Sequence, residues 1–293
     1  MIVYAPESIL ICGIPASLPG IESRNWRKSF RCNLRRQTIF LLSKKHSGRR
    51  IKMTMLTEKE MIDIQAFIDM QIARAEALDL QIKIDDDLEK WRKLMSTAPG
   101  TVGASRTLDP LLNDIRPGNS FWLHLVDNQG ETIACQANRF VETENFVEEY
   151  IATHRFFGNR CPSLRHYPVH FVESVPVLRG RINFGGGGWV HPDWRQNGLA
   201  GFMSRTSRIL ALRHFLTDYY IGFITATPNH RQYGHHRQGL LNRRHLLTGM
   251  YPGRNGEQDM DIYWMHRGEM MNQIYTEMAQ ELDDVAPLTM RTA

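Results

Sequence analysis

The sequence predicts a single α/β (α+β) domain built on a mixed central β-sheet flanked by helices, and three observations lead there. Apolar residues at spacings of three and four mark a helix opening at Thr57 and another following Gly198. Strict alternation through Phe121, Leu123 and Leu125, then Ile133, Cys135 and Ala137, brackets the turn residues Asp127-Asn128-Gln129-Gly130 and marks a β-hairpin. Short aromatic and β-branched runs then interleave with the second helix, an order that suits one sheet covered by helices.

Thr57-Glu58-Lys59-Glu60 is an S/T-x-x-E capping box, and Met61, Ile64, Ile68, Ile72 and Ala75 behind it form one stripe. A second helix is expected from Asp85 to about Met95, with acids in its first turn and Leu88, Trp91 and Met95 on one side. Thr97-Ala98-Pro99-Gly100 ends it. After the hairpin, residues 144–180 read as an irregular insertion punctuated by Pro162, Pro168 and Pro176, with a short helix around Phe146–Thr153 and a strand at His170–Ser174. Arg181-Ile182-Asn183-Phe184 and four glycines, Gly185–Gly188, lead into Trp189-Val190-His191-Pro192. The next helix should bury Leu199, Met203, Thr206, Leu210 and Arg213, with Phe202 and Ile209, and leave Arg205 and Arg208 exposed. Tyr219–Thr225 reads as a strand, 229–238 as one or two helical turns, 243–251 and 258–267 as a strand pair, and 269–282 as a terminal helix.

Of 293 residues, 42% are hydrophobic and 23% charged, which excludes collagen, a wholly disordered chain and a small disulfide scaffold. Cys12, Cys32, Cys135 and Cys161 form no C-x-x-C pair, so neither a zinc ribbon nor a disulfide framework is expected, and a reducing cytoplasm fits. No apolar run has the roughly 18 residues of a membrane helix, and the apolar 8–18 stretch lacks the basic residues that precede a secretory signal core. The chain therefore reads as a soluble cytoplasmic protein without membrane partners.

Charge is unevenly placed. Residues 1–52 hold eleven Lys or Arg and two acids, whereas the remaining 241 hold 25 basic and 29 acidic residues, so the net +5 comes from the leader. Three readings of that leader stay open: a disordered tail or wrongly chosen start, a nucleic-acid or membrane-surface arm, and an organellar transit peptide. The ordered domain is placed at 53–293.

Chemistry concentrates at 189–200. A strand ends, His191-Pro192 turns the chain, and Gly198 lets backbone approach a ligand where a helix begins, leaving amides and the positive helix end to face an anion. There the sequence resembles the Gcn5-related N-acetyltransferase (GNAT) superfamily. Arg195-Gln196-Asn197-Gly198-Leu199-Ala200 looks like its R/Q-x-x-G-x-G/A pyrophosphate loop, and Trp189-Val190-His191-Pro192 resembles the end of its fourth strand. Tyr219–Ala226, Asn229, Gly239-Leu240 and 259–265 resemble later elements, so the likeness spans about Thr57–Arg267 without the insertion. The resemblance implies acetyl-CoA in a splay between two central strands, held by Trp189, Val190, Arg195, Gln196, Asn197, Gly198, Leu199, Ala200 and Asn229. It also implies an amide at the end of the fourth strand polarising the thioester carbonyl.

Acetyl transfer to an amine further needs a base and a proton for the departing thiolate. Glu142, Glu144, Glu173 and His191 are candidate bases, with Glu142 taken first. For the acid, Tyr233 is preferred over His235 or His236 because a phenol suits the role.

The glycine run reads as a loop or bulge entering the strand, with close approach to a ligand as the other use; it lacks G-x-G-x-x-G spacing, which argues against a nicotinamide site. His230, His235, His236 and His245 lack metal-ligand spacing, so no metal is expected. Arg231, Arg237, Arg243 and Arg244 form either a solvated face or a contact to a phosphate or acidic substrate. Trp122, Trp189 and Trp194 read as core. The expected activity is direct transfer of acetyl from acetyl-CoA to a primary amine, on a small molecule or peptide, with 144–180 shaping the acceptor pocket; the assembly is left open, a homodimer being one option. The competing readings are a nucleic-acid-associated protein acting through its leader, and a sensor that binds acetyl-CoA without catalysis.

Overall fold

The computed structural model describes residues 55–158, 169–171, 175–225, 239–250 and 257–289. The basic leader, Asn229, Tyr233, His235, His236 and Glu173 lie outside the described residues. Eight strands form one sheet: β1 Gln81–Asp85, β2 Ser120–Val126, β3 Thr132–Thr143, β4 Val169–Phe171, β5 Gly180–Val190, β6 Tyr219–Thr225, β7 Asn242–Met250 and β8 Glu257–His266. Their order is β1-β2-β3-β5-β6-β8-β7-β4. Every pairing is antiparallel except β5 with β6. A parallel pair needs a crossover, and the helix α3, Leu199–Phe215, supplies it.

Helix α1, Glu58–Glu76, starts as its sequence demands: Thr57 accepts from the Glu60 amide, and the Glu60 carboxylate accepts from the Thr57 amide at 2.7 Å. Its buried side is Ile64, Phe67, Ile68, Gln71 and Ala75. Met61, expected on that stripe, is 52% exposed; Leu56, just before the cap, fills the core at that end instead. Helix α2, Leu88–Thr97, is capped by Asp87, whose side chain accepts from the Glu89 amide, and buries Leu88, Trp91 and Met95 as expected. Between them, β1 is an addition to the predicted elements. The terminal helix α4 runs Arg267–Thr289, longer than anticipated at both ends.

The sheet is buried on both faces. One core joins α1, α3 and α4 to alternate strand residues such as Phe121, Leu123, Leu125, Tyr220, Tyr263 and Met265. The other gathers Trp91 and Met95 of α2 with Trp122, Phe184, Trp189, Ile221 and Ile262, and with Phe146, Phe156 and Phe157 of the insertion. Within the insertion the chain makes a π-turn at Val147–Ile151 and a 3-10 turn at Arg155–Phe157, and β4, Val169–Phe171, overlaps the expected strand His170–Ser174 at 170–171.

Arg208 departs most from expectation. Predicted to be exposed, it is fully buried because α4 lies over the outer side of α3. Its guanidinium donates to Gln273 Oε1 of α4 at 2.5 Å and sits 5.2 Å from the centre of the Tyr220 ring. Arg205 is half-buried and pairs with Glu277 of the same covering helix at 3.2 Å. No helix among the described residues is long and apolar enough to cross a membrane.

Candidate active site

β5 and β6 pair only through Ile182 with Tyr219, Asn183 with Tyr220 and Phe184 with Ile221. Beyond that point β5 continues to Val190 and β6 to Thr225 without pairing to each other, so a gap opens near the middle of the sheet. The glycines lie inside β5, not in a loop before it, and they hold a bulge: Cys135 faces Trp189 while Ala137 faces Gly186, which sets one residue of β3 against two of β5. At Gly187 φ is +57°, and a Cβ there would meet the Trp91 ring at 2.3 Å. Gly188 is exposed although it sits near the centre of an eight-stranded sheet. The backbone, stripped of side chains, therefore forms a wall of the gap.

The end of β5 turns its amides by simple alternation. His191 donates its amide to Ile133 O at 2.8 Å, toward β3, so the main-chain groups of Val190 between His191 and Trp189 point the other way, into the gap. There Val190 O accepts from Arg195 Nε at 3.2 Å. Arg195 also donates to Gly100 O at 3.2 Å, and Trp189 Nε1 donates to Pro99 O at 2.9 Å, so the turn after α2 buttresses the mouth of the gap. Trp189 is core, as is Trp122, while Trp194 is half-buried.

Pro192–Trp194 form one 3-10 turn, and the chain then curls through two left-handed residues, Gln196 at φ 71° and Gly198 at φ 75°. Gly198 caps α3 with no side chain to satisfy the first-turn amides, and nothing lies within 4 Å of where its Cβ would be. Leu199 is buried and anchors the helix, whereas Gln196, Asn197 and Gly198 are exposed. Open amides, a helix N-terminus and the nearby Arg195 guanidinium make this a place for an anionic group. These residues also fit a coenzyme A ligand without side-chain obstruction: the loop suits a pyrophosphate, and the exposed glycine backbone suits an extended chain of alternating amides.

The described residues considered for proton transfer lie at different places in the sheet. Glu142 faces Arg181 across the β3/β5 ladder, three residues before the last β5/β6 pair. From there to Val190 is nine residues of strand, roughly 30 Å, so the first-choice base lies at the closed end of the sheet. Glu144 lies beyond it, paired with Arg179 at 2.9 Å. His191 does stand at the mouth, its Nδ1 accepting from the Asp193 amide at 3.3 Å. A pair that was not anticipated lies across from the open end of β6: Asp261, opposite Ile224, is fully buried and bonded to His245 Nδ1 at 2.9 Å. The same carboxylate takes Arg243 at 3.2 Å, and His245 Nε2 is 3.3 Å from Thr248 Oγ1. The Thr248 hydroxyl donates in turn to Asp259 Oδ1 at 2.5 Å, so the imidazole stands between two carboxylates, one reached directly at Nδ1 and one through Thr248. Register sets His245 opposite Asp261 and Thr248 opposite Asp259, a pairing the sequence does not display, and there His245 was weighed only as a metal ligand. Arg243 pairs with this carboxylate while staying exposed, as Arg244 does.

A mixed sheet whose one parallel pair parts over a glycine-capped anion loop decides the architecture. It is the architecture that the sequence's resemblance to the Gcn5-related N-acetyltransferases implies, a mixed central sheet flanked by helices with two central strands that splay. No family model matches the sequence, and no curated protein matches it. Similar solved structures include Arabidopsis thaliana NAA60 in complex with acetyl-CoA, at 14% identity and TM-score 0.42 over 64% of this chain and 99% of that one. A spermidine N-acetyltransferase SpeG chimera from Vibrio cholerae and hSSAT shares 11% identity, TM-score 0.42, over 66% and 99%. Drosophila melanogaster polyamine N acetyltransferase shares 12%, TM-score 0.40, over 64% and 100%.

Proposed function

We propose that the chain is an acetyl-CoA-dependent N-acetyltransferase acting on a primary amine by direct transfer. The observation that carries this reading is the parting of β5 and β6 after Phe184 and Ile221, with Val190 backbone turned into the opening and an uncapped helix N-terminus at its mouth. Pyrophosphate would rest on the amides of 196–200, and the pantetheine amides would pair with the free edge of β5. The Val190 N–H would donate to the thioester oxygen as negative charge develops there. The amine nitrogen attacks the carbonyl carbon, the C–N bond forms, the C–S bond breaks, the ammonium proton passes to a base and the thiolate takes a proton. Among the described residues, His245 held by Asp261 is the base we favour, reached through water because β7 is two strand spacings, roughly 10 Å, from β6. Tyr233 stays the proposed acid.

Calorimetric titration of acetyl-CoA into the full chain and into Gly198→Trp tests the reading. Binding by the wild type that Gly198→Trp weakens at least tenfold, followed by thiol release with an amine panel, is the expected result. A folded wild type that binds no acetyl-CoA would remove it.

A further inference from the structure

A buried polar seam runs beneath α3 at the point where β5 and β6 part. Gln136 on β3 donates from Nε2 to Tyr220 Oη on β6 at 2.7 Å, although β5 lies between those strands. The phenol crosses β5 over Gly185: a Cβ at that glycine would stand 1.7 Å from Tyr220 Oη and 2.3 Å from Cζ. Any side chain at 185 would therefore break the crossing. Overhead, the Tyr220 hydroxyl meets Ser207 and Ser204 of α3. Ser207 Oγ in turn accepts from Asn138 Nδ2 at 2.7 Å, and Asn138 Oδ1 accepts from Asn183 Nδ2 at 2.9 Å. Gln136, Asn138, Asn183, Ser204, Ser207 and Tyr220 are all buried. Tyr220 belongs to the second of only three β5/β6 pairs, one residue before the ladder ends.

An apolar seam would pack these strands as well, so the polar one asks for a reason. Hydrogen bonds are directional where apolar contacts are not, and a buried donor left without its acceptor costs more than the bond contributes. The bridge from β3 to β6 across β5 therefore fixes the three strands and α3 in one arrangement at the vertex of the gap. We propose that Tyr220, with Gln136 and the space left by Gly185, is a positioning residue that sets where β5 and β6 part and so the distance between the β5 amides and the α3 N-terminus. This rests on the acetyltransferase reading only for its consequence in binding, since the bridge itself acts on the strands.

Two measurements on the full chain separate the ideas. Amide hydrogen exchange compares wild type with Tyr220→Phe, which keeps the ring beneath Arg208 and removes only the hydroxyl. The expected result is exchange roughly tenfold faster at 184–186 and 221–222, with protection in β2 and α1 unchanged. Acetyl-CoA titration of the same variant should show affinity reduced about five- to tenfold. Gly185→Ala should lose more than that alone and recover part of it when combined with Tyr220→Leu, because the clash then disappears. Unchanged exchange at 184–186 and 221–222 in Tyr220→Phe overturns the inference whether or not the wild type binds acetyl-CoA. Wild-type binding failure with faster local exchange would overturn the functional reading and leave the vertex role standing. Should Tyr220→Phe not fold, Gln136→Met, which removes the other end of the bridge, is read by the same exchange, and unchanged rates there overturn the inference equally.

Discussion

His124 shows how one position can set an acid limit on the whole chain. Burial, with Lys83 opposite on β1, pushes its imidazole down to about 4, and its ring stacks on Trp122 at 4.0 Å between centroids. Unfolded, the same group titrates near 6.5, so the unfolded chain takes up a proton that the folded one refuses. Stability is untouched by this group above about pH 6.5 and falls as pH drops from there toward 4. His124→Gln should flatten that limb. Urea denaturation at pH 7 and pH 5 is expected to show the wild type losing about 1 kcal/mol more than the variant between the two, after allowing for the partial exposure of the ring. Cys135 is affected in the opposite chemical sense: burial raises its thiol to about 12, so it should resist alkylation at pH 8 while the protein stays folded, a labelling experiment read by mass.

At the scale of elements, the bulge in β5 binds α2 to the sheet. Trp91 of α2 occupies the room beside Gly187 and donates from Nε1 to its carbonyl at 3.3 Å. Gly187→Ala would set a methyl against that ring at a left-handed φ and should cost about 2–3 kcal/mol, seen as a lower melting temperature. Trp91→Leu combined with it should cost less than the sum of the two changes. Most elements were legible because their signals are local: the capping box at Thr57, the Asp87 cap before Leu88-Trp91-Met95, and the alternation around 127–130. β1 was not, because Gln-Ile-Lys-Ile-Asp at a sheet edge buries only Ile82 and exposes its other faces to water, so it shows no apolar run. Arg208 was misread because α3's own periodicity contains nothing of the helix that later covers it. The glycines read as a loop or a bulge, and the ladder to β3 before and after them shows the bulge, set inside β5.

For the molecule as a whole, the glycine-capped turn at 195–200 could be read from sequence because its parts are contiguous, whereas a side-chain pair such as His245 with Asp261 is assembled from separate strands. Glu142 attracted notice by its place after the hairpin, yet β3 runs it away from the gap, and His245 with Asp261 comes together only through the β7/β8 register. His245→Gln is expected to lower turnover at least tenfold while leaving acetyl-CoA affinity within twofold of wild type. Single-turnover kinetics beside calorimetry would check it; an equal loss in both would place His245 in binding or folding instead.

The glycine run also has a thermodynamic consequence. Glycine gives up more backbone freedom on ordering than any other residue, and these four contribute no packing side chains of their own in return. β5 is held instead by its ends, Ile182 and Phe184 before the run and Trp189 after it. The middle of the molecule is thus where order is dearest, and a ligand lying along it repays that expense. On the proposed reading the melting temperature should climb steadily with acetyl-CoA concentration, so that resistance to heat would follow the supply of that ligand.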